Sequence, residues 1–262
     1  MTKLRITVVL LALVGALNSW SQGFGNRELI NADWYFNLGD IKYGGSEYFD
    51  HSEWRKLELP HDWSVEAVAS PELASCTGYL PGGIGWYRKD LDIPKVQNGN
   101  KVYIYFEGIY NNSEVFINGK WIGKRPNGYV SFMYELTPYL KFGGRNVLAV
   151  RVDHSQDADS RWYTGSGIYR DVYLVYANPV HIRLWGVSYS AKVNKKNAVL
   201  SVQTEVDNTG KLPVAVKVLH EVFDRDGKKV GAGSLDYSLR AGEMVKNCLL
   251  YTSPSPRDGL LS

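Results

Sequence analysis

The sequence contains few of the residues that build disulfide frameworks and metal centres. Its 262 residues include two cysteines, Cys76 and Cys248, together with 3 Met and 5 His. Two cysteines are too few for a disulfide framework, and the histidines lie far apart, with none at ligand spacing from Cys76. Asp153, Asp157 and Asp159 form an acidic loop that could hold a hard cation, although such loops are more often solvated. We therefore expect no metal site and no cofactor in this chain.

A strong charge of one sign is also missing. The 30 Lys and Arg residues against 27 Asp and Glu give a net charge of +3, and the basic residues are scattered along the chain. A nucleic-acid-binding surface needs them clustered. The apolar run at residues 6–17 is too short to span a bilayer. We therefore predict neither a nucleic-acid partner nor a membrane span.

The N-terminus has the pattern of a targeting segment. Lys3 and Arg5 precede the apolar run 6–17, and small residues follow it. This order is typical of a secretory signal peptide, with cleavage before Gln22. No cysteine stands at the cleavage point, so a lipid anchor is not indicated. We predict a signal peptide at residues 1–21 and a mature chain that is secreted or periplasmic.

Aromatic residues are abundant, with 8 Trp and 18 Tyr, and short strand patterns fill the chain. Nearly every periodic segment alternates as a strand does, and no helix of ordinary length is predicted. Asn118-Gly119 between two such segments is a strong signal for a type I′ hairpin, and a further strand is predicted at 168–176. The fold class is therefore all-β, with a jelly-roll β-sandwich at residues 26–177.

The strand pattern changes after residue 178. Four longer alternating segments follow from Val180, and Asp226-Gly227 predicts a tight hairpin turn between two of them. Their spacing fits an immunoglobulin-like sandwich, but only four or five of the roughly seven strands that such a sandwich needs are present. We therefore predict an incomplete immunoglobulin-like β-sandwich at residues 179–247, truncated within its fold.

Residues 248–262 point to a different origin. Residues 248–258 (CLLYTSPSPRD) resemble, residue for residue, the translation of a transposase adapter used in sequencing-library preparation. A Pro/Ser-rich linker is the alternative, and linkers of this composition are common. Because the match over the whole of 248–258 is far more specific than a composition, we predict that residues 248–262 are a non-native tail on a truncated chain.

The most informative segment is Ser160–Val172 (SRWYTGSGIYRDV), which combines aromatic rings, guanidinium groups and glycines. Aromatic faces stack on the C–H faces of sugars, and charged donors hold sugar hydroxyls. Gly165 and Gly167 would let the backbone turn sharply before a strand. The segment therefore indicates either a sugar-binding loop or only a sharp corner of a sandwich.

Five motifs occur in a recognisable order along the chain. They are LPHDW at 59–63, GWYRK at 85–89, FING at 116–119, NVLAVRV at 146–152 and RWY at 161–163. In this order they resemble the N-terminal part of glycoside hydrolase family 2, the β-galactosidase family, strongly over 31–176 and more loosely over 179–247. The resemblance implies a jelly-roll sugar-binding domain, an immunoglobulin-like domain and a (β/α)8 barrel. In this family the barrel carries the two glutamates of a retaining mechanism, and it would lie beyond residue 262.

The resemblance also gives a role to the loop that precedes the last jelly-roll strand. In the family, the loop matching 153–166 reaches the rim of the barrel pocket. Asp159, Arg161 and Trp162 are therefore the predicted substrate-binding residues. In some branches an Asp at the position of Arg161 meets the sugar or a bound cation, and this chain departs from that pattern. The alternative is structural: the aromatic rings cap the sandwich, and Arg161 pairs with Asp157 or Asp159.

Two neighbouring motifs have other interpretations. Asp62, which follows a turn fixed by Pro60, is expected to accept hydrogen bonds from backbone N–H groups, while Trp63 fills the core. The loop 79–85 is rich in glycine but lacks the spacing of a phosphate-binding site. We interpret it as a rim of the sugar pocket.

No residue of this chain is predicted to be catalytic. Glu107, Glu114 and Glu135 lie in or beside strand patterns, where a solvated strand face accounts for them. Arg170 and Asp171 are placed inside the last jelly-roll strand, where a structural ion pair or hydrogen bond is the expected role.

Together these features predict the non-catalytic N-terminal portion of a secreted retaining glycosidase that hydrolyses terminal β-glycosides, β-galactosides first. Alone, the chain is expected to be inactive, because its loops lack the carboxylate pair. β-Mannosidase and β-glucuronidase are alternatives within the family, and the intact enzyme could form an oligomer. A stand-alone carbohydrate-binding module is a different class, and it would end after the jelly roll. A structural surface protein is a third class, but it leaves the Arg-Trp-Tyr cluster without a purpose.

Overall fold

The computed structural model describes residues 24–156, 160–194 and 197–254. Within them the chain divides into two compact units, one at Asn26–Pro179 and one formed from Val180 onward together with Phe24 and Gly25. The predicted signal peptide lies outside the described residues. Where the chain is described, it contains no helix that is long and apolar enough to cross a membrane.

The first unit has ten strands among its described residues, arranged in two sheets. The strands are β1 Asn26–Leu29, β2 Trp34–Leu38, β3 Arg55–Leu57, β4 Gly83–Asp92, β5 Lys101–Phe106, β6 Ser113–Ile117, β7 Lys120–Arg125, β8 Phe132–Glu135, β9 Arg145–His154 and β10 Val172–Ala177. Single turns of 3-10 helix lie at Ser64–Glu66, Ser75–Thr77, Lys95–Gln97 and Thr137–Tyr139. One sheet has the order β1-β10-β5-β8 and the other β3-β2-β4-β9-β6-β7, with antiparallel neighbours throughout. The predicted all-β class is confirmed.

The core of the first unit takes side chains from both sheets. Val102, Ile104 and Phe106 alternate along β5 and are fully buried. They belong to one apolar cluster with Trp34 and Tyr87 of the other sheet. Burying a large apolar side chain stabilises the fold by roughly 1.5–3 kcal/mol. The apolar residues that recur at every second position of β5 therefore face the interior of the sandwich, as the alternation in the sequence predicts.

The hairpin predicted at Asn118-Gly119 joins β6 to β7. Asn118 has φ +48° and Gly119 has φ +78°, the left-handed pair that a type I′ turn requires. The Asn118 side chain also donates to the Tyr139 carbonyl at 2.8 Å and accepts from the Val147 N–H at 2.8 Å. The local signal is therefore confirmed, and the asparagine additionally ties the turn to the neighbouring chain.

The last strand of the first unit is shorter than predicted. The pattern at 168–176 forms strand only in β10, from Val172. Before it, the N–H and C=O of Gly167 exchange hydrogen bonds of 2.9 Å with the backbone of Tyr110. Arg170 and Asp171 therefore precede the strand, which corrects their predicted position inside it.

The second unit has five strands among its described residues. They are β11 Val180–Val193, β12 Asn197–Asn208, β13 Val214–Phe223, β14 Lys229–Leu239 and β15 Met244–Pro254. One sheet has the order β11-β12-β15, and β13 pairs with β14 in a second sheet. Val206, Val218 and Leu239 form a small buried core between strands of both sheets. The number of strands agrees with an incomplete sandwich, and the immunoglobulin-like topology stays a prediction.

The turn between β13 and β14 is wider than the predicted tight hairpin. Phe223 pairs with Lys229, so residues 224–228 form the loop. The Asp224 carbonyl accepts the Gly227 N–H at 3.1 Å, and its carboxylate accepts the N–H groups of Asp226 and Lys228. The loop is therefore organised by Asp224, because a short carboxylate side chain can replace backbone partners in a turn.

Strand β15 runs through the predicted boundary at residue 247. It pairs with β12 from Met244 opposite Asp207 to Pro254 opposite Asn197. The hydrogen bonds between β12 and β15 join backbone groups, so this pairing does not show whether residues 248–254 are native or adapter-derived. The adapter origin of residues 248–262 stays a prediction, and residues 255–262 lie outside the described chain.

Candidate functional site

The segment singled out by the sequence follows β9 and forms an exposed loop of the first unit. Trp162 is 59% exposed and Tyr163 is 41% exposed, and Arg161 beside them is also exposed. Asp159, the third predicted sugar contact, lies outside the described residues, as does Asp157. The structure therefore brings two of the three predicted residues to one surface, and neither aromatic ring fills the core.

Trp162 is held by a second loop. Its indole Nε1–H donates to the Tyr129 hydroxyl at 3.0 Å. The Tyr129 ring packs edge-on against Tyr110, with centroids 5.4 Å apart, and Tyr110 packs edge-on against buried His154 at 5.0 Å. Edge-to-face packing of this kind is favourable and fixes ring orientation. The exposed indole therefore rests on an ordered row of rings that begins in the interior.

Tyr163 is fixed by the LPHDW motif. Its hydroxyl donates to Asp62 Oδ2, while Asp62 Oδ1 accepts the backbone N–H groups of Ser64 at 3.0 Å and Ser166 at 2.8 Å. Partial burial, the hydrogen bond to Asp62 and the charge of that carboxylate together raise the pKa of the Tyr163 phenol well above its usual value. Asp62 thus accepts backbone N–H groups, as the sequence predicted, and also anchors the exposed loop.

Beneath the loop lies a buried chain of polar side chains. The hydroxyls of Ser64 and Ser166 are 2.5 Å apart, and Ser166 is 2.6 Å from His154 Nδ1. The Ser64 hydroxyl also donates to the Pro81 carbonyl at 2.7 Å. Because a buried polar group must find a partner, these bonds hold the loop, the LPHDW turn and the segment near Pro81 in one arrangement. Trp63, 3% exposed, lies in the core as predicted.

The two glycines of the motif adopt backbone conformations that other residues rarely reach. Gly165 has φ +74° and Gly167 has φ +125°. A Cβ on Gly167 would overlap the Tyr87 hydroxyl and lie 2.8 Å from the His61 carbonyl. The sharp turn predicted from the glycines is therefore present, and at Gly167 it also allows a close approach to the interior.

The glycine-rich loop 79–85 lies beside the same surface. Tyr79, 45% exposed, has φ +61°, and the Gly82 carbonyl accepts the Trp63 indole N–H at 3.0 Å. Gly78, one residue earlier, approaches the Tyr163 ring, since a Cβ there would lie 3.8 Å from Cδ2. The loop therefore borders the exposed aromatic surface, and its role as a pocket rim stays a prediction.

The remaining charged residues of the motif make local contacts. The Arg170 guanidinium lies over the Tyr169 ring, 5.2 Å from its centroid. Asp171 accepts hydrogen bonds from the Asn31 amide at 2.8 Å and from the Tyr173 hydroxyl at 3.1 Å. These contacts are structural, which is the kind of role that the sequence indicated for both residues.

Two of the three glutamates considered in the sequence, Glu114 and Glu135, form ion pairs from strand positions. Glu135 accepts from Lys101 Nζ at 2.7 Å on the four-stranded sheet. Glu114 lies 3.7 Å from Arg151 and 3.8 Å from Lys124. Over residues 24–156, 160–194 and 197–254, no group of three His, Cys, Asp or Glu side chains is placed to hold a metal ion. Because part of the acidic loop lies outside these ranges, the absence of a metal site stays a prediction.

Three residues of this surface carried no local signal in the sequence. Tyr129, Tyr110 and His154 support Trp162, yet they come from separate connections and from the end of β9. Of these residues only Tyr129 is exposed, while Tyr110 and His154 are buried beneath it. Their association depends on the antiparallel packing of β9 with its neighbours, which a local pattern does not reveal.

Comparison with known proteins supports a family assignment. Residues 29–179 match the family model described as glycosyl hydrolases family 2, sugar binding domain. The chain is also similar to a β-galactosidase of Bacteroides ovatus, with 45% identity over 222 residues. That alignment covers 84% of this chain and 26% of the relative.

Solved structures give the same result. A β-glycosidase from Bacteroides vulgatus is 38% identical with a TM-score of 0.74, and the match covers 88% of this chain and 33% of that one. A Bacteroides uniformis β-glucuronidase, solved with a covalently bound cyclophellitol-6-carboxylate aziridine, is 27% identical with a TM-score of 0.79 over 87% of this chain and 28% of that one. The chain thus spans between 26% and 33% of the length of these three relatives. Since the family model matches more than half of its residues, the chain belongs to glycoside hydrolase family 2.

Proposed function

We propose that this chain is the non-catalytic N-terminal portion of a secreted retaining glycosidase whose intact form hydrolyses terminal β-glycosides, β-galactosides first. The observation that carries the proposal is the match to the family 2 sugar-binding domain, together with a 45% identical β-galactosidase of which the chain covers 26%. A putative β-glucuronidase of Formosa agariphila follows at 39% identity over 207 residues, so the margin in favour of a galactoside is small and the assay below decides between the two substrates.

The exposed loop contributes sugar contacts in this proposal. The Trp162 indole presents a flat apolar surface that suits the C–H face of a pyranose, and Arg161 beside it carries donors for hydroxyl groups. Tyr129 and Asp62 hold the loop in place before any sugar arrives. A preorganised loop loses little conformational freedom on binding, so its contacts contribute more to affinity.

Bond cleavage is assigned to residues outside this chain. A retaining mechanism needs two carboxyl groups about 5–5.5 Å apart, one as nucleophile and one as acid/base. Glu114 and Glu135 instead form ion pairs with strand neighbours. The first unit therefore acts as a wall of a sugar site, and a catalytic domain supplies the carboxylates.

Export to the periplasm or the medium is the second part of the proposal. It rests on the sequence of residues 1–21, where Lys3 and Arg5 precede an apolar run. Carbohydrate is the partner, and an oligomer of the intact enzyme is compatible with the proposal.

The test is to sequence the genomic locus through the codon for Asn247 and to express both this chain and its genomic continuation. Each protein is assayed with an aryl β-galactoside and an aryl β-glucuronide. We expect no turnover by this chain, and faster turnover of the galactoside by the continuation. Turnover by this chain alone, or a reading frame without a (β/α)8 pattern, would contradict the proposal. Faster turnover of the glucuronide would replace the substrate assignment.

A further inference from the structure

A second polar site lies in the first unit, and it begins with a buried arginine. Arg88 on β4 is 0% exposed, and its hydrogen bonds all go to the loop 44–51. The guanidinium donates to the carbonyls of Gly44, of Ser46 at 3.0 Å and of Phe49 at 3.4 Å. Burial lowers the pKa of Arg88 to about 10. A buried charge is costly unless its donors are satisfied, so this arginine holds the loop in one shape.

Arg88 also sets the tautomer of a buried histidine. Its Nε–H donates to His51 Nδ1 at 3.1 Å, and a guanidinium nitrogen is always a donor. His51 Nδ1 is therefore the acceptor, and the neutral ring carries its proton on Nε2. Burial and the charge of Arg88 lower the pKa of His51, which keeps the ring neutral. The histidine is 6% exposed, and Nε2 lies 3.9 Å from Asp90 Oδ1, too far for a hydrogen bond.

His51 lines a cleft of about 490 Å³ together with Asp90, whose Oδ1 is the carboxylate oxygen 3.9 Å from Nε2. Tyr35, Tyr48 and Phe49 supply aromatic walls, and the Tyr48 ring is 89% exposed. Asp90 lies at the cleft with Arg145, whose Nη2 donates to Asp90 Oδ1 at 2.8 Å. The cleft thus combines an aromatic face, a carboxylate acceptor and two N–H donors within one small volume.

This set of groups matches the chemistry of a neutral sugar. A pyranose can stack its C–H face on an aromatic ring, while adjacent hydroxyls donate to a carboxylate and accept from N–H donors. We propose that the cleft formed by Tyr48, His51, Asp90 and Arg145 binds a neutral pyranose unit of an oligosaccharide. The proposal concerns binding alone, and it does not depend on the catalytic assignment above.

The charges at the cleft disfavour an acidic ligand. Arg145 pairs with Asp90, and Lys141 pairs with Glu47. Among the described lining residues, this leaves the Asp50 carboxylate without a counter-cation. The hydrogen bond from the Ser52 N–H lowers the pKa of Asp50, so this carboxylate is ionised at neutral pH. A uronate or phosphate group would meet that charge, whereas an uncharged sugar would not.

The cleft lies at the opposite end of β4 from the Trp162 loop. Gly83 at one end of this strand pairs with His154, and Asp92 at the other end pairs with Arg145. At about 3.3 Å per residue, the seven steps from Gly83 to Asp90 span roughly 23 Å. A sugar bound in the cleft therefore does not touch Trp162, and each site can be tested separately.

The test is an NMR titration of the full chain with methyl β-lactoside as a neutral probe and methyl β-D-glucuronide as an acidic one. The imidazole ¹⁵N resonances of His51 report directly on the cleft. We expect the lactoside to shift the Nε2 resonance. We expect Tyr48→Ala and Asp90→Asn each to raise the dissociation constant of the lactoside by about five-fold. Tyr43→Ala is the matched control, because Tyr43 directly precedes the loop 44–51 and is 72% exposed but lies outside the cleft lining.

Four outcomes would overturn the proposal. The His51 resonance could stay unchanged at the highest lactoside concentration, or the glucuronide could bind as tightly as the lactoside. Lactoside binding could fall in Trp162→Ala while Tyr48→Ala leaves it intact, which would assign it to the other loop. Calcium chloride could shift the same resonance and displace the lactoside, which would make the cleft a cation site. None of these outcomes involves hydrolysis, so a failure of the glycosidase proposal would be seen separately.

Discussion

The Asp62 carboxylate accepts a hydrogen bond at 2.8 Å from the backbone N–H of Ser166, 104 positions further along the chain. The same side chain accepts the Ser64 N–H and the Tyr163 hydroxyl. One carboxylate therefore joins the turn after Pro60 to the loop that carries Arg161. This arrangement explains how an exposed loop between two strands keeps a defined shape.

Replacing Asp62 should loosen that loop. Asp62→Ala leaves the donors of Ser64, Ser166 and Tyr163 without their acceptor, and we expect it to lower the free energy of unfolding by about 2 kcal/mol. Asp62→Asn keeps an oxygen that can accept the two backbone N–H groups, so its loss should be smaller. Urea denaturation followed by tryptophan fluorescence measures both. An alanine variant as stable as the parent chain would show that these bonds do not hold the loop.

Local patterns in the sequence predicted much of this arrangement. Pro60 before Asp62 indicated a turn with a capping carboxylate, and the glycines at 165 and 167 indicated the sharp bend. Both predictions depend on residues close in sequence, where backbone geometry restricts the choices. The alternation of apolar residues predicted the strands in the same way, because it follows the two faces of a sheet.

The contacts that local patterns did not predict join distant segments. Trp162 meets Tyr129 across 33 positions, and Arg88 meets His51 across 37. The sequence also predicts too early a start for the last strand of the first unit. Gly167 pairs with Tyr110 as an isolated bridge, and the regular strand β10 begins only at Val172. Such pairs are decided by which strands become neighbours. That order is a property of the whole sandwich and has no signature in a short window.

The hydrogen bond between Trp162 and Tyr129 should be visible by NMR. Tyr129→Phe keeps the ring but removes the hydroxyl that accepts the indole N–H. We expect the Trp162 indole proton to move upfield and to exchange faster with water, since it loses its acceptor. Tyr139→Phe, which alters another partly exposed ring, should leave that resonance in place. An unchanged indole resonance in Tyr129→Phe would mean that the two loops do not form this bond in solution.

A methyl group at Gly167 should destabilise the first unit strongly. The left-handed φ and the overlap with the Tyr87 hydroxyl act together, so we expect Gly167→Ala to cost more than about 2 kcal/mol. Gly99→Ala is a matched control, because Gly99 has φ +104° but nothing within 4 Å of its Cβ position. That variant should cost about 1 kcal/mol through backbone strain alone. Equal losses of unfolding free energy in the two variants would show that the close approach contributes nothing.

Two buried histidines should make stability depend on pH. Burial, with the charge of Arg88, lowers the pKa of His51, and burial lowers that of His61, although Glu66 opposes the shift at His61. Both rings have an ordinary pKa of 6.5, so below that pH the unfolded chain binds more protons than the folded chain. Their contribution to the free energy of unfolding is therefore complete above pH 6.5. It is lost as the pH falls toward the folded-state pKa values.

The measurement is the urea midpoint at about pH 7.5 and about pH 5.5, a range chosen to lie above the titration of most carboxyl groups. We expect a lower midpoint at the acidic pH. His61→Gln removes one of the two titrating rings and should reduce the difference between the midpoints. A midpoint that rises on acidification would contradict the direction of both shifts.

Strand β11 should make the second unit self-associate. Val187, Tyr189 and Val193 are 48%, 78% and 58% exposed, although Val187 pairs with Thr204 on the interior-facing side of β12. The two-stranded sheet approaches this sheet at β15, where Gly233 lies close to the Leu249 side chain. Val180 and Ile182 at the start of β11 pack against the small core, whereas Val187, Tyr189 and Val193 further along the strand stay exposed. An exposed apolar row beside unpaired strand edges favours association.

Sedimentation velocity of the full chain at several concentrations measures this association. Tyr189→Lys places a charge in the middle of the apolar row and should shift the distribution toward monomer. Val68→Lys is the control, because Val68 is 90% exposed on a loop of the first unit and lies outside this surface. Both variants add one positive charge to the chain. A shift toward monomer in Tyr189→Lys but not in Val68→Lys would therefore be due to the position of the charge on β11. A parent chain that stays monomeric at every concentration would show that the exposed apolar row on β11 is tolerated in water.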